Sequence, residues 1–168
     1  EIAEVCRRHD LRIIEDDVHR LLEPDAPPPL QTFAPERTFY VASTSKMIAG
    51  GLRVAHVACP PAHVERLAFA IAASVWSMPA LMVEIATRWI NDGTAESTIE
   101  RRREEAAARQ QLARRILPPG TYLTADRSYF LWQDLPGSWN AQEFTAAARD
   151  AGVGVVAGTA FAVGKEAG

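Results

Sequence analysis

Thr38-Phe39-Tyr40-Val41-Ala42-Ser43-Thr44-Ser45-Lys46-Met47-Ile48-Ala49-Gly50-Gly51-Leu52-Arg53 is the stretch on which the fold turns. Thr38 to Ala42 are β-rich and mostly apolar, which predicts a buried strand. From Ser43 to Gly51 the side chains are small or hydroxylated, which predicts a loop; Leu52 to Ala58 predicts another strand, stopped by Pro60-Pro61. The loop holds a lysine with hydroxyls at positions −3 and −1 and an arginine at +7. An amine so placed can form a Schiff base with an aldehyde. Hydroxyls and a guanidinium beside it can hold a phosphate, the guanidinium as a planar fork of donors. Gly50 and Gly51 would let backbone and ligand approach closely. A surface loop containing serine and lysine by chance is the plainer alternative.

Upstream, residues 1–9 have the pattern of the end of a helix, and Leu11-Arg12-Ile13-Ile14 is a short β-rich run that stops at Glu15-Asp16-Asp17-Val18-His19. Residues 23–37, with Pro24, Pro27, Pro28, Pro29 and Pro35, predict a loop. Acids at the carboxyl end of a strand lie where open α/β sheets bind ligands. An aspartate there can pair with a protonated pyridine nitrogen and keep the ring an electron sink. The same acids would also serve as a polar strand-to-loop transition or a helix N-cap.

The middle of the chain predicts helices over 62–76 and 79–91, broken at Pro79, then one long charged helix over 95–117 closed by Pro118-Pro119-Gly120. Opposite charges interleave in Glu100-Arg101-Arg102-Arg103-Glu104-Glu105, the pattern of a solvated face. Trp76, Met78, Met82 and Trp89 recur at helical spacing and predict core or dimer-interface packing. Ser74 and Ser77 lie near the helix break, and no His–Asp pair can be set beside either to make it a nucleophile. Further on, Ser128 to Trp132 predicts a strand, Asn140 to Ala151 a capped helix with Gly152 as its C-cap, and Val153 to Val156 another strand. Trp132 and Trp139 would pack within this small α/β piece.

Composition bounds the rest. The chain has 168 residues, 48% hydrophobic and 23% charged, the proportions of a globular domain with a core. A net charge of −3 gives no electrostatic footprint for nucleic acid in this stretch. No apolar run is long enough to span a membrane, and the first residues lack the pattern of a signal peptide. Cys6 and Cys59 read as free thiols of a cytoplasmic protein, and the scattered histidines make no metal site. Of the 18 basic residues only Lys46 and Lys165 are lysines.

The motifs together resemble a known family. Ser43-x-Ser45-Lys46 followed by Gly51-Leu52-Arg53, with Asp16-x-x-His19 upstream, resembles the cofactor-lysine loop and pyridine-nitrogen aspartate of fold-type I pyridoxal-phosphate enzymes, the class I/II aminotransferases. The resemblance implies that Lys46 forms the Schiff base with pyridoxal 5'-phosphate. It implies that Arg53, Ser43 and Ser45 hold the phosphate and that Asp16 partners the ring nitrogen. His19 stands where the family usually has a tyrosine that binds the ring hydroxyl. An imidazole can still donate there, but it titrates near pH ~6.5 rather than the ~10 of a phenol, and a water fills the role if His19 points away.

Trp89-Ile90-Asn91-Asp92-Gly93-Thr94 before the Arg-rich helix, and Gly158-Thr159-Ala160-Phe161, look most like the aminotransferase-like domain of MocR-type regulators of the GntR family. The implied architecture is α/β. Residues 1–94 would be the latter part of a large domain with a mostly parallel sheet, 95–117 a long connecting helix, and 118–168 a partial small subdomain. The Gly-rich phosphate loop, the ring-stacking aromatic and the arginine for a substrate carboxylate cannot be assigned, so the chain is expected to be a C-terminal fragment that binds cofactor poorly alone.

Three functions follow from the resemblance. One is the effector domain of a transcriptional regulator that binds an amino acid or amine, acts as a homodimer, and reaches DNA only through an N-terminal module. Another is a free-standing aminotransferase passing an amino group between an amino acid and a 2-oxo acid. The last is a scaffold that has lost the chemistry, suggested by His19.

Overall fold

The computed structural model describes residues 1–163. The chain divides between Arg109 and Gln110 into two compact units. In the first, α1 (Ile2–Arg8) ends with Arg7 and Arg8 in its last turn, where basic side chains favour the helix dipole. Strand β1 (Ile13–Asp16) follows, then a 3-10 turn (Arg20–Leu22) and a single helical turn, α2 (Leu30–Phe33), before β2 (Thr38–Ser43). The pairing of β1 and β2 is parallel, Ile13 opposite Thr38 and Asp16 opposite Val41. Parallel neighbours require a crossover, and residues 17–37 supply it. The proline-rich segment read as loop thus contains α2. Its first free amides, of Leu30 and Gln31, donate to the two carboxylate oxygens of Glu15 at 2.7 and 3.0 Å.

After β2 come another single helical turn, α3 (Thr44–Met47), a 3-10 turn (Gly50–Leu52) and β3 (Ala55–Ala58). Strand β3 is antiparallel to β2, with Ser43 opposite Ala55. The sheet order is β1-β2-β3. Ala3, Ile13 and Ala34 form a small core beside it, with Cys6 and Leu30 packed on its margin. Thr38 is fully buried and its hydroxyl donates to the Ala34 carbonyl at 2.8 Å, so a polar side chain in the core has its partner.

Two helices, α4 (Val64–Val75) and α5 (Ala80–Asn91), flank the expected break at Pro79. Trp76 stands 89% exposed at φ 62°, outside any core of the described residues, whereas Met78, Met82 and Trp89 are half-buried. The long helix α6 (Thr94–Ile116) starts where Asp92 accepts from the Thr94 amide at 2.9 Å; the Thr94 hydroxyl first, and this amide second, lower the Asp92 pKa. No helix of the described residues is long and apolar enough to cross a membrane.

In the second unit, β4 (Tyr122–Leu123) pairs antiparallel with β5 (Trp132–Gln133). The strand expected over 128–132 is therefore shorter and shifted, and its partner was not foreseen. Gln110, 4% exposed, donates to the carbonyls of Ser128 and Phe130 at 2.7 and 3.4 Å and orders the intervening turn. Helix α7 (Ala141–Asp150) is capped by Asn140, which accepts from the amides of Gln142 and Glu143. It closes with Gly152 at φ 83°, the Gly152 amide on Arg149 and the Val153 amide on Ala148. This is the paired-bond C-cap for which a glycine is suited. Val153 to Val156 form no strand: among the described residues no strand pairs with them, and the valines are exposed. Trp132 and Trp139 make edge-on contacts with Phe161 and Phe144 at 6.0 and 5.9 Å between ring centroids. Lys165 lies outside the described residues.

Arg7 joins α1 to the turn before β2 by donating to Glu36 at 2.9 Å and to the Phe33 carbonyl at 2.6 Å. Chiefly through the hydrogen bond from Arg7, the Glu36 pKa falls from 4.5 to about 2. A carboxyl depressed on folding stabilises the fold fully above its unfolded pKa, and the gain fades as pH drops towards the folded one. Glu36 is thus expected to titrate near pH 2 by carbon NMR and to return towards 4.5 in Arg7→Met. An unchanged midpoint in that variant would refute the link.

Candidate functional site

The parallel pair β1 and β2 run to the same edge of the sheet, and β3 starts from it. That topology alone gathers the residues singled out from sequence. Asp16 ends β1, exposed, opposite Val41. The Asp17 amide extends the ladder one step by donating to the Val41 carbonyl at 3.0 Å. His19, half-buried, immediately precedes the 3-10 turn and makes no side-chain capping bond to it. Ser43 ends β2, Ser45 and Lys46 lie in α3, and Arg53 stands two residues before β3 begins at Ala55, the partner of Ser43.

The segment between β2 and β3 has a defined shape because one carbonyl closes it. The Val54 oxygen accepts from the Thr44 amide at 3.0 Å, the Thr44 hydroxyl at 3.0 Å and the Ser43 hydroxyl at 3.3 Å. Ser43 also accepts from the Ser45 amide at 3.1 Å, so its side chain is the N-cap of α3. Thr44, Met47, Ile48, Leu52 and Val54 are all buried, while Lys46 is exposed. Helix α5 packs on the Gly50–Leu52 turn. A turn read as featureless loop is thus a short helix fixed by its own apolar side chains.

This geometry separates the expected ligands. The Ser43 hydroxyl proton is directed at Val54, which makes Ser43 a structural cap before it is a ligand. The Ser45 hydroxyl has no bonded partner among the described residues, and Lys46 and Arg53 extend to the surface. Arg53 adopts the left-handed conformation, φ 55° and ψ 27°, unfavourable for a residue with a Cβ. Gly51 has open space around it and Gly50 only an ordinary approach of 3.5 Å, so the chain itself demands glycine at neither position.

One feature bears out the alternative reading of the acids as a helix cap, and a second was not read from the sequence. Of the three acids, Glu15 is the cap of α2, and Asp17 pairs with Arg20 at 3.6 Å. The neighbouring Tyr40 hydroxyl is pushed up in pKa, first by burial and then by the charge of Asp17. The other feature is the pair Arg102 and Arg103, hidden in a charge run that looks wholly solvated. Both are half-buried and reach across to backbone carbonyls of the site loops, Ile48 at 3.2 Å and Leu21 at 2.6 Å. Nothing in the periodicity of the run marks them.

Comparison with known proteins gives the family and the fold. The family model "Aminotransferase class I and II" matches residues 1–168. An uncharacterized HTH-type transcriptional regulator of Bacillus subtilis, YdeF, is 34% identical over 163 residues, covering 97% of this chain and 35% of the regulator. Among solved structures, an aromatic aminotransferase from Pyrococcus horikoshii superposes with a TM-score of 0.85 at 24% identity, over 96% of this chain and 46% of that one. The α-aminoadipate aminotransferase LysN of Thermus thermophilus, solved with N-(5'-phosphopyridoxyl)-L-leucine, gives 0.74 at 24% identity, over 91% and 42%. The chain spans about a third of the length of the curated relatives it matches.

The buried side of the α3 turn is what presents Lys46. Met47→Ala, at a position with no solvent exposure, is expected to lower the stability of the intact protein by about 2–5 kcal/mol, read from denaturant unfolding. A loss below about 1 kcal/mol would mean that the turn is not anchored through Met47.

Proposed function

The chain belongs to the class I and II aminotransferase family, and from that premise we propose that it is a pyridoxal-phosphate-binding, aminotransferase-like domain serving as the effector-sensing part of a MocR-type transcriptional regulator. The observation that carries the reading is the gathering of an amine, a free hydroxyl, a guanidinium and a carboxylate at one edge of the sheet, on Lys46, Ser45, Arg53 and Asp16. That donor set suits a phosphorylated pyridine aldehyde. The likeness to YdeF over nearly the whole chain supports the regulator over a free-standing enzyme. The aminotransferase reading keeps support from the solved structures of similar fold.

When bound, pyridoxal phosphate supplies an aldehyde for covalent capture of amines and a ring that withdraws electrons. The residues of this chain divide the work of holding it. Lys46 offers an exposed amine on a rigid turn, to anchor the cofactor covalently and to carry a proton. Arg53, with the Ser45 hydroxyl, would hold the phosphate oxygens, a task that suits a guanidinium. Asp16 would set a negative charge at the ring nitrogen, and His19 would be the donor for the ring oxygen. An amino acid or amine is the ligand class, and its binding would bias a helix-turn-helix module of the whole regulator through a shift between two states.

The test uses the intact protein with added pyridoxal phosphate. A visible absorbance band of bound cofactor is expected, lost in Lys46→Ala; a band that survives this substitution, or never forms, defeats the reading. A change of DNA affinity on adding amino acids without turnover supports the regulator, and turnover of an amino-acid/2-oxo-acid pair supports the enzyme.

Arg53→Gly separates folding from binding. Glycine relieves the left-handed conformation, so unfolding stability is expected to hold or rise by up to about 1 kcal/mol. The affinity for pyridoxal phosphate should fall about tenfold or more, because charge-assisted bonds to phosphate are lost. Equal affinity in the variant removes Arg53 from the phosphate site.

A further inference from the structure

We propose that Arg102 and Arg103 of α6 are positioning residues that mount the Lys46 turn and the turn after Asp16 on one helix. This inference rests on the cofactor reading above. The Arg102 guanidinium donates to the Ile48 carbonyl at 3.2 Å, two residues beyond Lys46, and Ile48 is buried. The adjacent Arg103 donates from Nε to the Leu21 carbonyl at 2.6 Å, in the 3-10 turn that follows His19. Glu100, one turn earlier, accepts from Arg103 Nη1 at 2.9 Å and fixes the direction of the guanidinium. All these residues belong to the first compact unit.

Their chemistry is unlike that of a solvated charge run. Arg101, Glu104 and Glu105 in the same run are exposed, whereas Arg102 and Arg103 are half-buried. Arg102 even leaves its Nε buried without a hydrogen-bond partner, among the described residues, while another of its nitrogens holds Ile48. Leaving a donor desolvated costs free energy, which sets Arg102 apart from the freely hydrated arginine of a solvated face. Each arginine serves one loop. Neighbours in sequence on a helix point in different directions, so α6 addresses the loops after β1 and β2 at the same level. The sheet register places Asp16 and Lys46 at one edge, and α6, which carries neither, holds a carbonyl in the loop that follows each strand.

Hydrogen exchange in the intact protein tests the latch independently of the cofactor. Arg102→Met is expected to speed amide exchange over residues 44–52 by about tenfold or more, as expected on losing a charge-assisted bond, and to leave 19–24 unchanged. Arg103→Met should do the converse. The lysine variants, which keep one charged donor, should restore part of the protection. With pyridoxal phosphate bound, Arg102→Met should also move the pH midpoint of the cofactor absorbance, which a merely stabilising residue would not do.

Unchanged exchange in the two loops overturns the proposal. So does a uniform rise that includes β2, which would assign the arginines to global stability. An unmoved absorbance midpoint, despite faster local exchange, overturns the positioning role. Failure of the cofactor reading shows instead as a missing band in the unsubstituted protein, with the exchange pattern still giving its own answer.

Discussion

The carbonyl oxygen of Val54 is the point on which the arrangement depends. Three donors from Ser43 and Thr44 converge on it, and a carbonyl has only two lone pairs. That crowding pins the start of the segment between β2 and β3 to its end. With the ends tied and Met47, Ile48 and Leu52 buried between them, the remaining residues have few conformations left. Lys46 is exposed because its neighbours are not. The same closure sets Arg53, two residues before β3, in a left-handed conformation, so the unfavourable backbone there follows from the clamp rather than from local preference.

Topology does the other half. In a parallel pair, both strands deliver their carboxyl ends to one edge, and β1 brings Asp16 to the edge at which β2 brings Ser43. The capping of α2 by Glu15 keeps the crossover short and returns the chain into register. Three consecutive acids therefore have three different settings: a helix cap, an exposed carboxylate, and a carboxylate paired with Arg20 beside Tyr40. Chemical type alone could not have distributed them.

Strand β2 was legible because its residues are β-rich and bounded by small polar ones, and α6 because its caps and its length are explicit. The family was legible because lysine, hydroxyls and arginine recur at fixed offsets, with an aspartate upstream. What escaped was decided by distant partners. The α3 turn looked like loop, although Ser43 already carried the signature of a cap. The start of β3 moved from Leu52 to Ala55 because Arg53 leaves the extended region. Val153 to Val156 have strand propensity, but a strand needs a neighbour. Arg102 and Arg103 sit in a run whose alternating charge is indistinguishable from a solvated face until the loops they hold are in place.

The bias towards arginine acquires a physical sense from these contacts. Arg7, Arg20, Arg37, Arg102 and Arg103 all donate to backbone carbonyls: of Phe33, of Pro27, of Cys6 and Leu11, of Ile48 and of Leu21. A guanidinium suits that work, since it stays charged and offers several donors in a plane. It is equally unsuited to covalent chemistry with an aldehyde, for which an amine able to lose its proton is needed. A chain that braces its loops with arginine can place a lysine among them without that lysine being drawn into the bracing. Lys46 makes no salt bridge among the described residues, and its turn is held by the carbonyl of Val54 and the guanidinium of Arg102 instead. Structural and reactive cations are thereby kept apart by residue type, a division that follows from the chemistry of the two side chains.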